Sequence, residues 1–261
     1  MRRSLPIAVL ACAALTLAAA PLAAWTPKTQ VQIAREAVQL APPDLKPLIQ
    51  RNISELDRGV LMPFSDGNAA DHYKNADGTG RLDKVIPMEA ARAVAFIKEH
   101  RPFADIVFQL GVVSHYMADA DNPLNTSESD PKEGNYFANY LFYAQSAEPR
   151  FDVVFYGIDR SLTSSRAVDS LVARALARGR TLYPLVGLEY RRIGFLDGKR
   201  YFDDKSTAFG VAAVSFSHAV SDVVDLMRYI WIAGGGADNR PWLPSSGGPV
   251  VVLLPRIESS R

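Results

Sequence analysis

From residue 25 onward, apolar positions recur at helical spacing through almost the whole chain. In "TPKTQVQIAREAVQLA" the residues Val31, Ile33, Ala34, Ala37, Val38 and Leu40 fall on one broad face, and the pattern stops at Pro42-Pro43. "DLKPLIQRNISELDRGVL" predicts a second helix. A polar loop rich in turn residues follows, "MPFSDGNAADHYKNADGTGRLDK", after which Pro87 is expected to open a helix running to about His100. "FADIVFQLGVVSHYMADA" is the most apolar segment and predicts a helix at the centre of the fold. Further helices are predicted at "NYFANYLFYAQ", "SSRAVDSLVARALARG" and the long "STAFGVAAVSFSHAVSDVVDLMRYIWIAG". Strand signals are few, and "VVVLLP" near the end reads as an extended tail. No repeat or low-complexity linker divides the chain, so the pattern predicts an all-α fold. It is read as a single multi-helix domain over 25–235, followed by a Pro/Gly/Ser-rich tail over 236–261.

The first 24 residues break this pattern. Arg2 and Arg3 precede the apolar run "LPIAVLACAALTLAAAPL", and the small residues of "LAA" lead up to Trp25, so 1–24 reads as a signal peptide. Export to the periplasm or the extracellular space is the expectation. Pro6, Pro21 and the many alanines make the run a poor permanent membrane span. Cys12 is the only cysteine, so cleavage before Trp25 leaves a chain without disulfides or thiolate chemistry.

Charge narrows the partners. The 29 Lys and Arg against 28 Asp and Glu give +1, and loss of Arg2 and Arg3 leaves 27 basic against 28 acidic residues, a net of −1. No basic block has the electrostatic footprint of a duplex-binding domain, so no stable nucleic-acid partner is expected.

His115 and Asp119 are spaced i, i+4 in the central apolar segment, which puts both side chains on one helix face, a turn apart. An imidazole nitrogen and a carboxylate oxygen so placed can converge on a divalent cation, although a histidine–carboxylate hydrogen bond is the commoner use of an isolated pair. His218 and Asp222 repeat the spacing and are read as polar contacts on a packed helix. His100 suits the negative end of a helix. Tyr136, Phe137, Tyr140, Phe142 and Tyr143 are read as core packing rather than a lipid cleft. For Arg174 and Arg178 a solvated helix face is the default, with phosphate attraction the alternative.

Three stretches together carry a resemblance. "LGVVSHYMADADNPLN" resembles the central metal-binding segment of the zinc-dependent phospholipase C family, which shares its fold with the S1/P1 nucleases; the pattern there is L-G-x-x-x-H-Y-x-x-D-x-x-Q-P-x-H. Trp25 falls where that family's mature chain begins, with a tryptophan whose amino group and carbonyl bind zinc. "DHYKN" resembles the segment in which a histidine ligand precedes an aromatic residue, aligning His72. The likeness runs from Trp25 to about Gly157, and "DLMRYIWIAGG" resembles the family's last helix.

The departures from the family pattern decide what the resemblance implies. The family's first-helix histidine falls on Gln30, the histidine ending the central motif on Asn125, and a later H-x-x-x-E pair on Asn135 and Asn139. Neutral amides are poor zinc ligands, so the position made from Asn125, Asn135 and Asn139 is expected to be empty. One zinc site is implied to survive, from Trp25, His72, His115 and Asp119 together with a loop aspartate: Asp66, or alternatively Asp57 or Asp71. Asp66 would also orient or deprotonate the attacking water. The implied protein is an exported phosphodiester hydrolase acting on phospholipid or another phosphodiester, with peripheral membrane contact and one zinc. A catalytically silent relative acting as a binding protein is the alternative, and an S1/P1-type nuclease a further one.

Overall fold

The computed structural model describes residues 25–66, 68–127, 130–237 and 250–251. Residues 1–24, read above as a signal peptide, and most of the tail lie outside them. Among the described residues there are nine α-helices: α1 (Pro27–Gln39), α2 (Lys46–Arg51), α3 (Ile53–Leu61), α4 (Leu82–Lys98), α5 (Phe103–Ala120), α6 (Phe137–Ala147), α7 (Ser165–Arg192), α8 (Gly198–Tyr201) and α9 (Thr207–Ala233). Two short strands, β1 (Val154–Phe155) and β2 (Val250–Val251), pair antiparallel, so part of the "VVVLLP" run adds a strand to the body. The all-α expectation holds.

Three element boundaries differ from the sequence expectation. The second predicted helix is two, α2 and α3, parted at Asn52, whose side chain turns back to donate to Leu48 O. α4 starts five residues before Pro87, because Leu82, Val85, Ile86, Ala90 and Ala93 already form its buried face. Pro87 leaves the carbonyl of Asp83 without an intrahelical partner, a loss confined to the first turn. α7 runs through Pro184 to Arg192, because Tyr183, Val186, Gly187 and Tyr190 continue its buried stripe.

α5 is the axis of the molecule, as its composition predicts: 14 of its 18 residues are buried, so it is enclosed on all sides. It packs most extensively on α3 and α4 and also on α9. The α3–α5 crossing depends on two glycines. A Cβ on Gly59 would lie 2.0 Å from Phe108 O, and one on Gly111 would lie 2.3 Å from Leu56 O. Backbone therefore meets backbone there, which brings the carbonyls of α3 within reach of α5 side chains.

α9 is long and apolar enough to cross a membrane, but 67% of its most apolar window is buried inside the protein, which makes it a core helix here. Its Ser217, Ser221 and Asp225 lie at i, i+4, i+8. They accept from the backbone N–H groups of Val154, Tyr156 and Asp159, satisfying an edge that would otherwise be open.

Candidate metal centre

Each side chain of the site arrives on a different support. His115 and Asp119 come from α5. His72 ends a 3-10 turn (Ala69–His72) in the loop before α4, and Gln30 comes from α1. His72, His115 and Asp119 are all fully buried. His72 Nδ1 is 2.8 Å from Asp119 Oδ2, His115 Nε2 is 3.2 Å from the same oxygen, and the two ring nitrogens are 3.2 Å apart. Donors bound at about 2.0–2.1 Å in a tetrahedron lie roughly 3.3 Å from one another, so this triangle is close to one face of a zinc-type polyhedron.

The surroundings fit a cation as well. His115 Nδ1 is 2.7 Å from Val60 O, on the α3 end of the glycine crossing, which fixes the ring and leaves Nε2 for the site. Phe64 sits edge-on to the His115 ring at 4.7 Å. His72 Nε2 is buried without a hydrogen-bond partner, and Asp66 Oδ1 lies 3.8 Å from it. Burial alone would lower the His72 pKa, but Asp119 and, more weakly, Asp66 raise it above its ordinary value. Burial would raise the Asp119 carboxyl. The His115 charge and the hydrogen bonds from His115 and His72 outweigh it and hold Asp119 below the usual carboxylate range.

Of the three loop aspartates left open by the sequence, Asp66 stands at the site. Tyr116 Oη donates to its Oδ2 at 2.7 Å, and burial keeps that phenol protonated by pushing its pKa up. Asp57 is occupied by Arg35 at 2.5 Å, and Asp71 by Asn68 and Arg81. Trp25 is buried and its indole Nε1 donates to Ala118 O at 2.9 Å, one residue before Asp119.

The substituted positions are explained one by one. Gln30 Nε2 donates to Asp119 Oδ1 at 2.7 Å, so an amide N–H serves the carboxylate oxygen that faces away from the His72–His115 triangle. Asn125 is buried and donates to Asp119 O at 3.1 Å. It lines a cavity of about 250 Å³ with Tyr73, Asn75, Ser127 and Glu133, and neither Asn135 nor Asn139 lines that cavity. Asn135 is exposed at the end of a 3-10 turn (Glu133–Asn135), and Asn139 lies beyond the break at Tyr136, so the two do not share one helix face. The side-chain Oδ1 of Asn139 accepts from Tyr190 Oη and Gly198 N.

Away from this centre, two expectations separate. His218 stacks flat on Tyr156 at 4.0 Å, while Asp222 pairs with Arg178, so the i, i+4 pair serves two different contacts. Arg178 is not on a solvated face: its Nη2 donates to buried Asp121 at 2.8 Å and also to Asp222. Burial raises the pKa of both carboxyls, and the repulsion between them adds to the rise at Asp121. The signal was present, since Arg178 falls three residues after buried Ala175 on the edge of the apolar stripe of α7. Tyr136, Phe137, Tyr140 and Tyr143 are buried as predicted, while Phe142 is 56% exposed.

No protein-family model matches the sequence, and no curated protein is significantly similar to it. Solved structures do match in fold. The alpha-toxin of Clostridium perfringens from avian strain SWCP superposes with a TM-score of 0.59 at 15% identity, over 85% of this chain and 66% of that one. The alpha toxin of Clostridium absonum gives 0.61 at 12% identity, over 83% and 65%. The chain thus has the all-α phospholipase C fold of these toxins and spans about two thirds of their length.

Proposed function

We propose that this chain is an exported, single-metal phosphodiester hydrolase whose zinc is held by His72 Nδ1, His115 Nε2 and Asp119 Oδ2. The observation that carries the reading is the buried triangle of three donors with 2.8–3.2 Å edges, backed by a carbonyl on the far nitrogen of His115. Among the described residues this is the group with metal-type geometry. A cation held there supplies Lewis-acid polarisation of a phosphoryl oxygen and makes a nearby water a stronger acid. Asp66, with one oxygen fixed by Tyr116 and the other nearest His72 Nε2, the ring nitrogen turned away from the donor triangle, would steady that ring from behind. Gln30 holds the second oxygen of Asp119, so that carboxylate offers one oxygen rather than bridging two ions. Cleavage before Trp25 would free an amino group on the residue whose indole is anchored at Ala118, and the buried, unpartnered Gln30 Oε1 is an acceptor in the same region of the chain.

With Gln30 and Asn125 at positions where further cations would need charged or imidazole ligands, stabilisation of the leaving group is weak and turnover is slow. The same observation supports the second reading, a metal-holding protein that binds without catalysis. Zinc-loaded protein incubated with bis(p-nitrophenyl) phosphate and with phosphatidylcholine vesicles tests the choice. The proposal expects slow hydrolysis that is lost in His115→Ala. Fully zinc-loaded protein with no turnover above solution background on either substrate would favour the silent reading.

A further inference from the structure

A second site lies between α7 and α9, and none of its lining residues belongs to the metal centre. It is a pocket of about 470 Å³, within the range of small-molecule sites. Its lining combines the cationic Arg174 and Arg178, the apolar Ala177, Leu182 and Val214, and Thr181 and His218.

The carboxylates that pair with the two arginines do not line the pocket. Arg174 uses Nη2 on Asp159 at 2.6 Å, and Arg178 uses Nη2 on Asp121 and Asp222. A guanidinium has five N–H donors, so each arginine keeps donors that these contacts do not use. His218, stacked on Tyr156, is held neutral because burial and the Arg178 charge lower its pKa to about 4. The lining therefore offers guanidinium donors, a neutral ring and aliphatic surface, with no acidic side chain.

We propose that this pocket binds an amphiphilic anion: a short alkyl chain ending in a phosphate or carboxylate, the head on Arg174 and Arg178 and the chain on Leu182 and Val214. Bidentate pairing of guanidinium with either head group is the recognition chemistry, and desolvation of the aliphatic lining adds affinity for the chain.

Calorimetric titration of the full chain with octyl phosphate, octanoate, octylammonium and inorganic phosphate, each below micelle formation, tests it. Octyl phosphate or octanoate should bind at least about tenfold tighter than octylammonium and than inorganic phosphate, and the tighter of the two identifies the head group. Arg174→Glu should weaken that binding by roughly tenfold or more, and Val214→Trp, which crowds the aliphatic lining, should abolish it. Both variants are checked for an unchanged circular dichroism spectrum. EDTA should leave the affinity as it was, which separates this pocket from the metal centre and its failure from that of the hydrolase reading. Equal binding of octylammonium, equal binding of inorganic phosphate, unchanged affinity in Arg174→Glu or Val214→Trp, loss of binding with EDTA, or no binding of either anion would overturn the proposal.

Discussion

Gly111→Ala should damage the metal centre without touching any of its ligands. The added Cβ would stand 2.3 Å from Leu56 O and 2.8 Å from Val60 N, both backbone atoms that no rotamer change can move. Ordinary contact begins near 3.4 Å, so α3 and α5 must part by roughly 1 Å. That displacement acts on the bond between Val60 O and His115 Nδ1, which is 2.7 Å long and orients the ring. Overpacking of this kind costs about 1–3 kcal/mol, equivalent to a fall in Tm of roughly 2–12 °C in a domain of this size. Loss of the carbonyl that steadies a metal-bound histidine costs about 10–100-fold in metal affinity. Thermal unfolding in EDTA measures the first effect, and competition titration with a zinc chelator the second. Gly210→Ala is the control, because its Cβ meets nothing within 4 Å on an exposed helical position, and it should be neutral or stabilising by up to about 1 kcal/mol. If Gly111→Ala matched the parent protein in both assays, the glycine crossing would not be what positions His115.

Other consequences are as direct. Gln30→Ala strips Asp119 Oδ1 of its amide donor and should weaken zinc binding by about 10–100-fold, read in the same competition assay. The pH dependences of the metal-free and metal-bound proteins should run in opposite directions. The raised His72 pKa makes its contribution to apo stability full below about pH 6.5 and lost as pH rises through the folded value; the depressed Asp119 pKa makes its contribution full above about pH 4 and lost below. Apo protein should therefore be more stable near pH 6 than near pH 8 in denaturant titrations, while zinc affinity rises over the same interval as His72 loses its proton. His100→Ala should leave zinc content unchanged. His100→Gly should add about 1 kcal/mol of stability, because His100 sits at φ 54° in a helix-ending motif where Arg101 N bonds Phe96 O and His100 N bonds Ile97 O.

What the sequence could reveal of this site follows from how local each contact is. His115 and Asp119 share one helix turn, so spacing alone placed them on one face. His72 lies 43 residues from His115 in a loop without periodicity, and only the likeness of "DHYKN" to a known ligand segment singled it out. The choice among Asp57, Asp66 and Asp71 needed three dimensions, because it turns on which carboxylate meets Tyr116 and which meets an arginine. Gln30 was legible as a lost ligand but not as the donor that now serves Asp119 across 89 residues. Arg178 was missed because an arginine on a helix defaults to solvent, and its two buried carboxylates come from the end of α5 and from α9. Pro87 misplaced the start of α4, and the expected α7 stopped at Gly179, for one reason: tertiary burial of the flanking apolar stripe outweighs a local helix-breaking signal.

The central claim is that one cation, and only one, is held by His72, His115 and Asp119. Metal analysis of the purified protein after dialysis against a weak chelator tests it most directly, with His72→Ala and His115→Ala beside the parent. The account predicts about one zinc per chain in the parent and essentially none in either variant. Two or more zinc ions per parent chain, or a stable parent with none, would contradict it.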